Sequence, residues 1–300
     1  MQIIAADQNT IFPGPISTAL GYFDGVHIGH AAVIGAAVEH ARANRLIPAV
    51  VTFRGRLGGR QLLMTEALKE EALASLGVDT VIYLDFESVK GLSPAEFVGG
   101  MLKERLHAQA AFCGFNYRFA SGASADAREL ERLCAAQGIQ TQVIAPLCAG
   151  GQPVSSTRIR SLLESGDIGE ANALLGRCFA IEATVIRGRR LGTQLGTTTI
   201  NQTLPEGLVT PRFGVYASAA AVGGESMPAV TNIGVRPTVD GTDVLCETYI
   251  PGYAGDLYGR IVRVSLKAFL RGEKRFSGIE ELKEQILRDA EMSLRLQSKG

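Results

Sequence analysis

The sequence has no tryptophan, and its 300 residues include only four histidines and five cysteines. No two cysteines form a Cys-x-x-Cys pair, and an odd number without such pairing is typical of reduced thiols in a cytoplasmic protein. No apolar run approaches the ~20 residues that a membrane-spanning helix needs, and no basic segment precedes an apolar one near the N-terminus. We therefore expect a cytoplasmic chain without a signal peptide or a membrane span.

An excess of charge of either sign is also lacking, because 30 basic residues balance 30 acidic ones. Such a chain has no overall field that attracts DNA, RNA or an anionic membrane. No predicted strand combines aromatic and basic residues as nucleic-acid-binding barrels do. We expect small-molecule partners, no nucleic acid and no membrane, while association into a homo-oligomer stays open.

The most informative segment, residues 21–30, reads GYFDGVHIGH. It lies between a predicted strand at 16–20 and a predicted helix at 31–45. Its glycines let the backbone approach a ligand, and the N-terminus of the following helix attracts anions. His27 and His30 share one face of the first helical turn and can both donate to phosphate oxygens. Zinc is the rival ligand, but no cysteine or third histidine lies nearby in sequence, so a phosphate-handling site is favoured.

Up to about residue 175, short apolar runs alternate with helical patterns, which predicts βαβ crossovers and a parallel sheet. A capping box at residues 93–96 marks the start of a helix that runs through Leu106, and Gly77 ends a helix that begins near Thr65. The predicted strands are 16–20, 47–53, 80–84, 110–113 and 141–144. Ligands of such sheets bind at the carboxyl ends of the strands, and the histidine loop is at such an end.

After Arg177 the sequence becomes rich in short β segments separated by glycine, proline and threonine, which predicts a barrel or a sandwich. The predicted strands are 181–186, 214–221, 228–232, 245–250 and 261–269. A last helix over 279–296 is expected to pack on the barrel through Ile279, Leu282, Ile286 and Met292. The sequence thus predicts two domains, 1–175 and 176–300.

Residues 154–160, which read VSSTRIR, place hydroxyls beside two guanidinium groups at the start of a predicted helix. Ser156 and Thr157 with free backbone amides, and Arg158 and Arg160 with bidentate donors, suit a polyphosphate. The alternative is a simple N-cap. The phosphate interpretation gains weight because nucleotidyl transfer needs one group at the attacked phosphate and another on the departing pyrophosphate.

A polar, threonine-rich loop flanked by Gly192 and Gly196 precedes Thr199 and Asn201. One threonine hydroxyl and one asparagine carbonyl are enough protein ligands for Mg²⁺, which keeps much of its hydration. A β-turn followed by a strand is the structural alternative. Glu247 lies in an apolar-leaning strand and could act as a general base toward an alcohol, or it could be an ordinary solvent-facing residue.

Together these motifs resemble the bacterial bifunctional riboflavin kinase and FMN adenylyltransferase family, also called FAD synthetase. The resemblance spans nearly the whole chain and rests on residues 21–30, 52–53, 114–119, 155–160, 175–177, 195–201, 213–217, 232–238, 255–259 and 270–271 with Phe276. It implies an α/β nucleotidyltransferase domain, Rossmann-like and of the HxGH type, followed by a small β-barrel riboflavin kinase domain with a C-terminal helix.

For the first domain, the resemblance implies transfer of the adenylyl group of ATP to FMN, with release of pyrophosphate and no covalent nucleophile. His27 and His30 would stabilise the transition state. The residues expected to bind nucleotide or flavin are Gly21, Phe23, Asp24, Gly25, Asn116, Ser156, Thr157, Arg158 and Arg160.

For the second domain, the resemblance implies transfer of the ATP γ-phosphate to the ribityl 5′-hydroxyl of riboflavin. Thr199 and Asn201 would hold Mg²⁺, Glu247 would be the base, and Arg271 would lie near the flavin or the phosphates. Gly192 and Gly196 would belong to the nucleotide loop. ATP, Mg²⁺ and the flavins riboflavin, FMN and FAD are thus the expected cofactors, substrates and products.

Two loops depart from the family pattern, and residues 251–253, which read PGY where an Asp-Phe pair is common, are a third and milder departure. Residues 54–59 read RGRLGG where an Asp-Pro-His-Pro-like stretch is usual, and Arg54 or Arg56 is the candidate to replace the missing histidine. Residues 197–198 lack the usual Phe-Pro pair, which predicts a less rigid loop and weaker nucleotide binding. The alternatives are a chain that retains one activity, foremost the kinase, or a flavin-binding regulator without turnover.

Overall fold

The computed structural model describes residues 1–7, 9–187, 199–238 and 241–297. The chain divides into two compact units that are not contiguous in sequence. The first consists of Met1–Gly58 and Glu66–Ser155, and the second of Gly59–Thr65 and Ser156–Gly300.

The first unit is built on a parallel sheet of six strands in the order β1-β4-β3-β2-β5-β8. Its strands, with two short hairpins included, are β1 (Gln2–Ala6), β2 (Ile16–Leu20), β3 (Ile47–Thr52), β4 (Thr80–Leu84), β5 (Ala108–Gly114), β6 (Arg118–Phe119), β7 (Ala125–Asp126), β8 (Gln140–Ile144), β9 (Cys148–Ala149) and β10 (Gln152–Pro153). Every residue of β2 and of β4 is buried, as expected for a parallel sheet covered on both faces. The predicted α/β domain is confirmed.

The order of the strands places a topological switch point beside β2. From β2 the chain moves to β3 and β4 on one side, whereas β5 pairs with β2 on the other side. Ligands of open α/β sheets bind in the crevice at such a point, outside the carboxyl ends of the strands. The loops that follow β2 and β5 therefore border the expected ligand crevice.

Several helices of the first unit begin at a residue whose side chain caps them. They are α1 (Ile28–Asn44), α2 (Glu66–Ser75), α3 (Phe86–Val89), a π-helix (Glu96–Arg105), a 3₁₀ turn (Ser121–Ala123) and α4 (Ala127–Ala136). The predicted capping box is present: Glu96 N donates to Ser93 Oγ at 3.2 Å, and Ser93 N donates to Glu96 Oε2 at 2.8 Å. The helix it starts has π geometry, which the sequence did not indicate.

The second unit contains an antiparallel sheet of six strands in the order β11-β16-β13-β14-β15-β12. These strands are β11 (Ala180–Thr184), β12 (Thr199–Thr203), β13 (Gly214–Val222), β14 (Glu225–Thr238), β15 (Gly241–Tyr249) and β16 (Ile261–Arg271). The edge strands meet, because Ile186 N donates to Asn201 O at 2.8 Å. Gln202 Nε2 donates to Ala183 O and Val262 O, both at 2.7 Å, across the same seam. The sheet is thus a nearly closed barrel, as predicted.

Among its described residues, the second unit contains the helices α5 (Ser156–Ser165), α6 (Ile168–Leu175) and α7 (Ile279–Gln297). As predicted, α7 packs on the barrel, and Ser293 Oγ donates to Ala229 O at 2.8 Å. Its buried face carries Asp289, Ala290 and Ser293. The prediction that Ile279 and Met292 pack on the barrel was wrong, since both side chains are exposed. No described helix is long and apolar enough to cross a membrane.

A short segment from the first half of the sequence, Gly59–Thr65, belongs to the second unit. Leu62 N donates to Gly207 O at 2.7 Å, and Val209 N donates to Leu62 O at 2.8 Å. Helices α5 and α6, which the sequence analysis placed in the first domain, also lie in this unit. The chain therefore passes between the two units more than once.

Candidate functional site

The loop from Gly21 to His27 joins β2 to α1 in a strained backbone conformation. Phe23 and Val26 have φ values of 53° and 37°, a region that bulky and β-branched residues rarely adopt. The ring of Phe23 folds back over Gly21, where a Cβ atom would lie 2.8 Å from the ring. Asp24 is buried in the same loop. Such strain persists only where the surroundings fix it, as they do at ligand sites.

His27 is the N-cap of α1 and is almost fully buried. Its Nδ1 accepts a hydrogen bond from the backbone N of His30 at 3.2 Å, so the neutral ring carries its proton on Nε2. The two imidazole rings stack with centroids 3.5 Å apart, and the edge of Phe23 meets His30 at 5.3 Å. The structure thus brings the two predicted histidines together at the positive end of a helix, where phosphate binds well.

Gly29 lies between these two histidines. A Cβ atom at this position would lie 3.2 Å from the His27 ring and 3.9 Å from Val154 O. Any side chain here would push on the imidazole, because 3.2 Å is shorter than an ordinary carbon contact. The glycine of the motif therefore makes room for the His27 ring.

Asn116 follows the end of β5, the strand that pairs with β2. Its side chain is exposed, and its Oδ1 lies beside Gly114, at ordinary contact distance (3.5 Å) from the position that a Cβ would take there. Asn116 and the His27 loop therefore follow neighbouring strands at the same edge of the sheet.

The loop after β3, residues 54–59, lacks the prolines that are usual in the family. Hydrogen bonds from side chains hold its backbone instead. The hydroxyl of Tyr22 donates to Gly55 O and accepts from Leu57 N at 3.3 Å. Gly55 N donates to Glu66 Oε1 at 2.8 Å. Arg54, one of the two candidates to replace the missing histidine, stacks on a tyrosine ring 4.4 Å from its centroid. The loop is therefore anchored to Tyr22 in the loop after β2 and to Glu66 in the helix that follows.

Lys69, a residue that the sequence analysis passed over, is buried in α2 next to these loops. Burial lowers the pKa of its ammonium to about 8, although Glu66, Asp24 and Glu70 oppose this shift. The sequence indicates the burial of Lys69 in one way: Lys69 is four residues before Leu73, so both lie on the same face of the helix, and an apolar residue would be expected at position 69. It is a functional residue candidate of the first unit.

Ser156, Thr157, Arg158 and Arg160 lie together in the first turns of α5, within the second unit. Arg158 forms an ion pair with Glu170, and Arg160 Nε donates to Gln61 O at 2.6 Å. Both guanidinium groups therefore have protein partners. Because His27 and His30 belong to the first unit, their pairing with this cluster around one nucleotide stays a prediction.

Three polar residues form one row across neighbouring strands of the barrel. Glu247 on β15 lies directly opposite Asn201 on β12 and Asn232 on β14. Glu247 is exposed, which leaves it accessible to a substrate. Directly opposed residues of an antiparallel sheet point to the same face, so the three side chains share one surface.

Asn201 is only 6% exposed, and its Oδ1 has no hydrogen-bond partner among the described residues. Thr199 is two residues earlier on the same strand and so points to the same side. A hydroxyl and an unsatisfied carbonyl oxygen are hard ligands that fit Mg²⁺. Gly192 and Gly196, predicted for the nucleotide loop, lie outside the described residues. In the described part of the chain, no three His, Cys, Asp or Glu side chains cluster as metal ligands.

Arg271, at the end of β16, is held by a residue that the sequence did not reveal. Its Nη2 and Nε donate to Asp289 Oδ2 at 2.8 and 3.1 Å. Asp289 is 1% exposed, and its Oδ1 accepts from Gln285 Nε2 at 2.9 Å. The guanidinium of Arg271 also lies 5.8 Å from the ring of Phe276. Helix α7 therefore fixes the orientation of Arg271.

The fold and these sites define a nucleotidyltransferase-type α/β unit joined to a flavokinase barrel. The family model described as FAD synthetase matches residues 12–158, and the model described as riboflavin kinase matches residues 175–296. The chain belongs to the bifunctional riboflavin kinase/FMN adenylyltransferase family.

Several curated relatives carry that name. The protein of Escherichia coli (strain K12) is 34% identical over 90% of this chain and 89% of its own length. The relative from Pseudomonas fluorescens is 36% identical over 90% of this chain and 89% of its own length, and that from Bacillus subtilis (strain 168) is 32% identical over 92% and 91%. A crystal structure described as a macrolide-efflux protein from Streptococcus pneumoniae has a TM-score of 0.88, with 26% identity over 98% of this chain and 99% of that one.

Proposed function

We propose that the first unit adenylylates FMN at the His27/His30 loop and that the barrel phosphorylates riboflavin at Glu247. In keeping with its family, the chain converts riboflavin to FMN with ATP and converts FMN to FAD with release of pyrophosphate. The observation that carries the assignment is the stacked histidine pair at the start of α1, at the carboxyl edge of the parallel sheet.

In adenylylation, a phosphate oxygen of FMN attacks the α-phosphate of ATP and pyrophosphate leaves. Nε2–H of His27 and the ring of His30 donate to phosphate oxygens as negative charge develops, and the N-terminus of α1 adds its dipole. Gly21, Phe23, Asp24 and Gly25 shape the loop around the phosphates. Asn116, together with Ser156, Thr157, Arg158 and Arg160, binds the phosphates of ATP or of the flavin. No residue needs to form a covalent bond.

In the kinase reaction, Glu247 accepts the proton of the ribityl 5′-hydroxyl as this oxygen attacks the γ-phosphate of ATP, whose bond to the β-phosphate oxygen breaks so that ADP leaves. Thr199 and Asn201 would hold Mg²⁺, which neutralises phosphate charge when bound. Asn232, opposite Glu247, orients the carboxylate. Arg271 contacts the flavin or the phosphates in the orientation that Asp289 gives it. Gly192 and Gly196 are proposed as members of the nucleotide loop.

We place the functional boundary near residue 175 and the reactions in the cytoplasm, where thiols such as those of Cys113 and Cys134 stay reduced. The partners that the two chemistries need are small molecules. Neither nucleic acid nor a membrane takes part in this proposal, and the mechanism works in a monomer or in a homo-oligomer.

A chain with the kinase alone, or a flavin-binding regulator without turnover, is not favoured. Both family models match, and the residues of both sites are present. In the loop that lacks the usual prolines, Tyr22 and Glu66 supply hydrogen bonds that hold the backbone.

A chromatographic time course with riboflavin, ATP and Mg²⁺ tests the proposal. FMN should appear first and FAD should follow. The same assay on His27→Asn and Glu247→Gln assigns the sites, since the first variant should stop at FMN and the second should form FAD only from added FMN. Loss of FMN formation in His27→Asn, or loss of FAD formation from added FMN in Glu247→Gln, would contradict the two-site assignment.

A further inference from the structure

Lys69 makes three hydrogen bonds and is only 4% exposed. Its Nζ donates to Tyr22 O at 2.9 Å, to Thr52 Oγ1 at 3.1 Å and to Phe53 O at 3.1 Å. The hydroxyl of Thr52 uses its own proton for Tyr22 O, at 2.9 Å. Three acceptors therefore match the three protons of a charged ammonium, and a neutral amine would leave one of them without its donor.

These contacts lie where the ladder between β2 and β3 stops. The regular pairing ends with Leu20 and Val51, and Gly21 N adds one longer bond to Val51 O at 3.3 Å. Beyond that point Lys69 and Thr52 connect the two segments. Tyr22 is the residue before Phe23, so the ammonium fixes the beginning of the strained loop that ends at His27.

The charged and titratable groups around Lys69 come from several elements. Glu66 and Glu70 lie on its own helix and Asp24 lies in the loop after β2, and all three favour the charged form. The rings of Tyr22 and Tyr83 lie 5.2 and 5.5 Å from Nζ. Arg54 lies over Tyr83 and 3.6 Å from Glu70, which offsets part of the negative charge.

Burial of an ammonium costs stability, and an apolar side chain of similar length would fill the space without that cost. The gain from the lysine must therefore lie in what its three bonds hold. They hold the two backbone segments that lead to the residues proposed for phosphate binding. Residues that break the ordinary rules of packing are expected at functional sites.

We propose that Lys69 is a positioning residue for FMN adenylylation, which ties the start of the Gly21–His27 loop to the end of β3 and so sets the place of His27. The proposal rests on the function proposed above for His27. Lys69 acts through the backbone of Tyr22 and Phe53 and does not itself contact the substrate. A displacement of about 1 Å at a reacting group can cost about 100-fold in rate.

The test compares Lys69→Met, Lys69→Arg and the matched control Lys90→Met, whose lysine is half exposed in the same unit. The kinetic constants kcat and KM are measured for FAD formation from FMN and, on the same samples, for riboflavin phosphorylation. Lys69→Met should lower kcat for FAD formation about 10- to 100-fold with little change in KM. Lys69→Arg, which keeps charge and donors, should recover part of this loss. Riboflavin phosphorylation should stay within about twofold in every variant.

The wild-type protein supplies an independent measurement. Because the ammonium loses its proton near pH 8, the ratio of FAD formation to riboflavin phosphorylation should fall between about pH 7 and pH 9.5. In Lys69→Arg the ratio should stay constant, because arginine remains charged throughout this range. Should Lys69→Met fail to fold, the wild-type profile decides.

Two results overturn the proposal: a folded Lys69→Met protein that forms FAD at the wild-type kcat, or a wild-type ratio that stays flat across this range. If His27→Asn is inactive while Lys69→Met is fully active, the function of His27 stands and only the role of Lys69 is wrong. If the wild-type protein forms FMN but no FAD, the adenylylation proposal fails and this inference fails with it.

Discussion

His27 caps α1 through His30: its Nδ1 accepts from His30 N at 3.2 Å while the two rings stack 3.5 Å apart. Capping and catalysis can therefore be separated by the choice of substitution. His27→Asn keeps an N-cap acceptor and should leave thermal stability near that of the wild type, whereas His27→Ala should lose about 1 kcal/mol. Both should lower the rate of FAD formation about 10²- to 10³-fold and leave FMN formation intact. His107→Asn, on an exposed residue, is the control, and a His27→Asn variant with normal FAD formation would refute the role of the ring.

Gly29→Ala should reduce activity without reducing stability. The added methyl group would lie 3.2 Å from the His27 ring and displace it, while alanine in a helix is about 1 kcal/mol better than glycine. We expect FAD formation to fall at least tenfold and the melting temperature to stay constant or rise. Gly35→Ala in the same helix meets no atom within 4 Å, so it should stabilise the protein and leave both rates unchanged. Equal activity of the two variants would show that the His27 ring tolerates the displacement.

Glu247→Gln should abolish FMN formation because an amide cannot accept the proton of the ribityl hydroxyl. General-base catalysis typically contributes about 10²- to 10⁴-fold, so a loss in that range is expected in riboflavin kinase assays. FAD formation from added FMN should not change. Glu225→Gln, at the exposed start of β14, is the matched control. A Glu247→Gln variant that retains a tenth or more of the kinase rate would assign the base elsewhere.

Asp289→Asn should weaken the kinase reaction because it loosens Arg271, although Asp289 is 18 residues away from Arg271 in sequence. The substitution removes the charge of a buried carboxylate that holds Nη2 and Nε of Arg271, which should cost about 1–3 kcal/mol of stability. We expect a rise in KM for riboflavin or ATP and a normal rate of FAD formation. Glu284→Gln, which disrupts the exposed pair with Arg288 on the same helix, should change neither stability nor rate. Identical behaviour of the two variants would remove Arg271 from the site.

The buried Lys69 predicts a specific dependence of stability on pH. The folded chain releases this proton near pH 8, whereas an exposed lysine holds it to about 10.5. Between these values the unfolded state binds more protons, so this group's contribution to the free energy of unfolding rises with pH. The free energy of unfolding of the wild type minus that of Lys69→Met should therefore increase from pH 8 to 10, by at most about 1.4 kcal/mol per pH unit. Denaturant titrations measure it, and a constant difference would mean that the lysine is not buried.

The parts of the fold that are local in sequence could be predicted. The predicted bounds of β2 and β4 agree with the structure to the residue, because both are short apolar runs with clear ends. Strand β1 was missed since most of its residues are exposed and no turn signal separates it from the N-terminus. Helix α1 begins three residues earlier than predicted because His27, an unusual N-cap residue, starts it.

The candidate site residues show the same difference: those whose contacts are local in sequence could be predicted, and those whose contacts are distant in sequence could not. His27 and His30 could be predicted because the motif places both in one helical turn. Lys69 could not, because its three acceptors come from the ends of two strands that are brought together only by the sheet. Asp289 could not either, since an aspartate in an amphipathic helix predicts a solvent-facing position, and its partner Arg271 is 18 residues away.

Because Gly59–Thr65 belongs to the barrel unit, the two units cannot be separated by dividing the chain at one position without removing part of the second unit. If the chain were divided into two polypeptides near residue 175, this segment would be on the N-terminal polypeptide and separated from the barrel. The hydrogen bonds that Leu62 forms with Gly207 and Val209 would be lost. Each product would then carry backbone groups without their partners, which is costly when they are buried. Separation of the two units into independent chains would therefore require compensating changes at both 59–65 and 207–209.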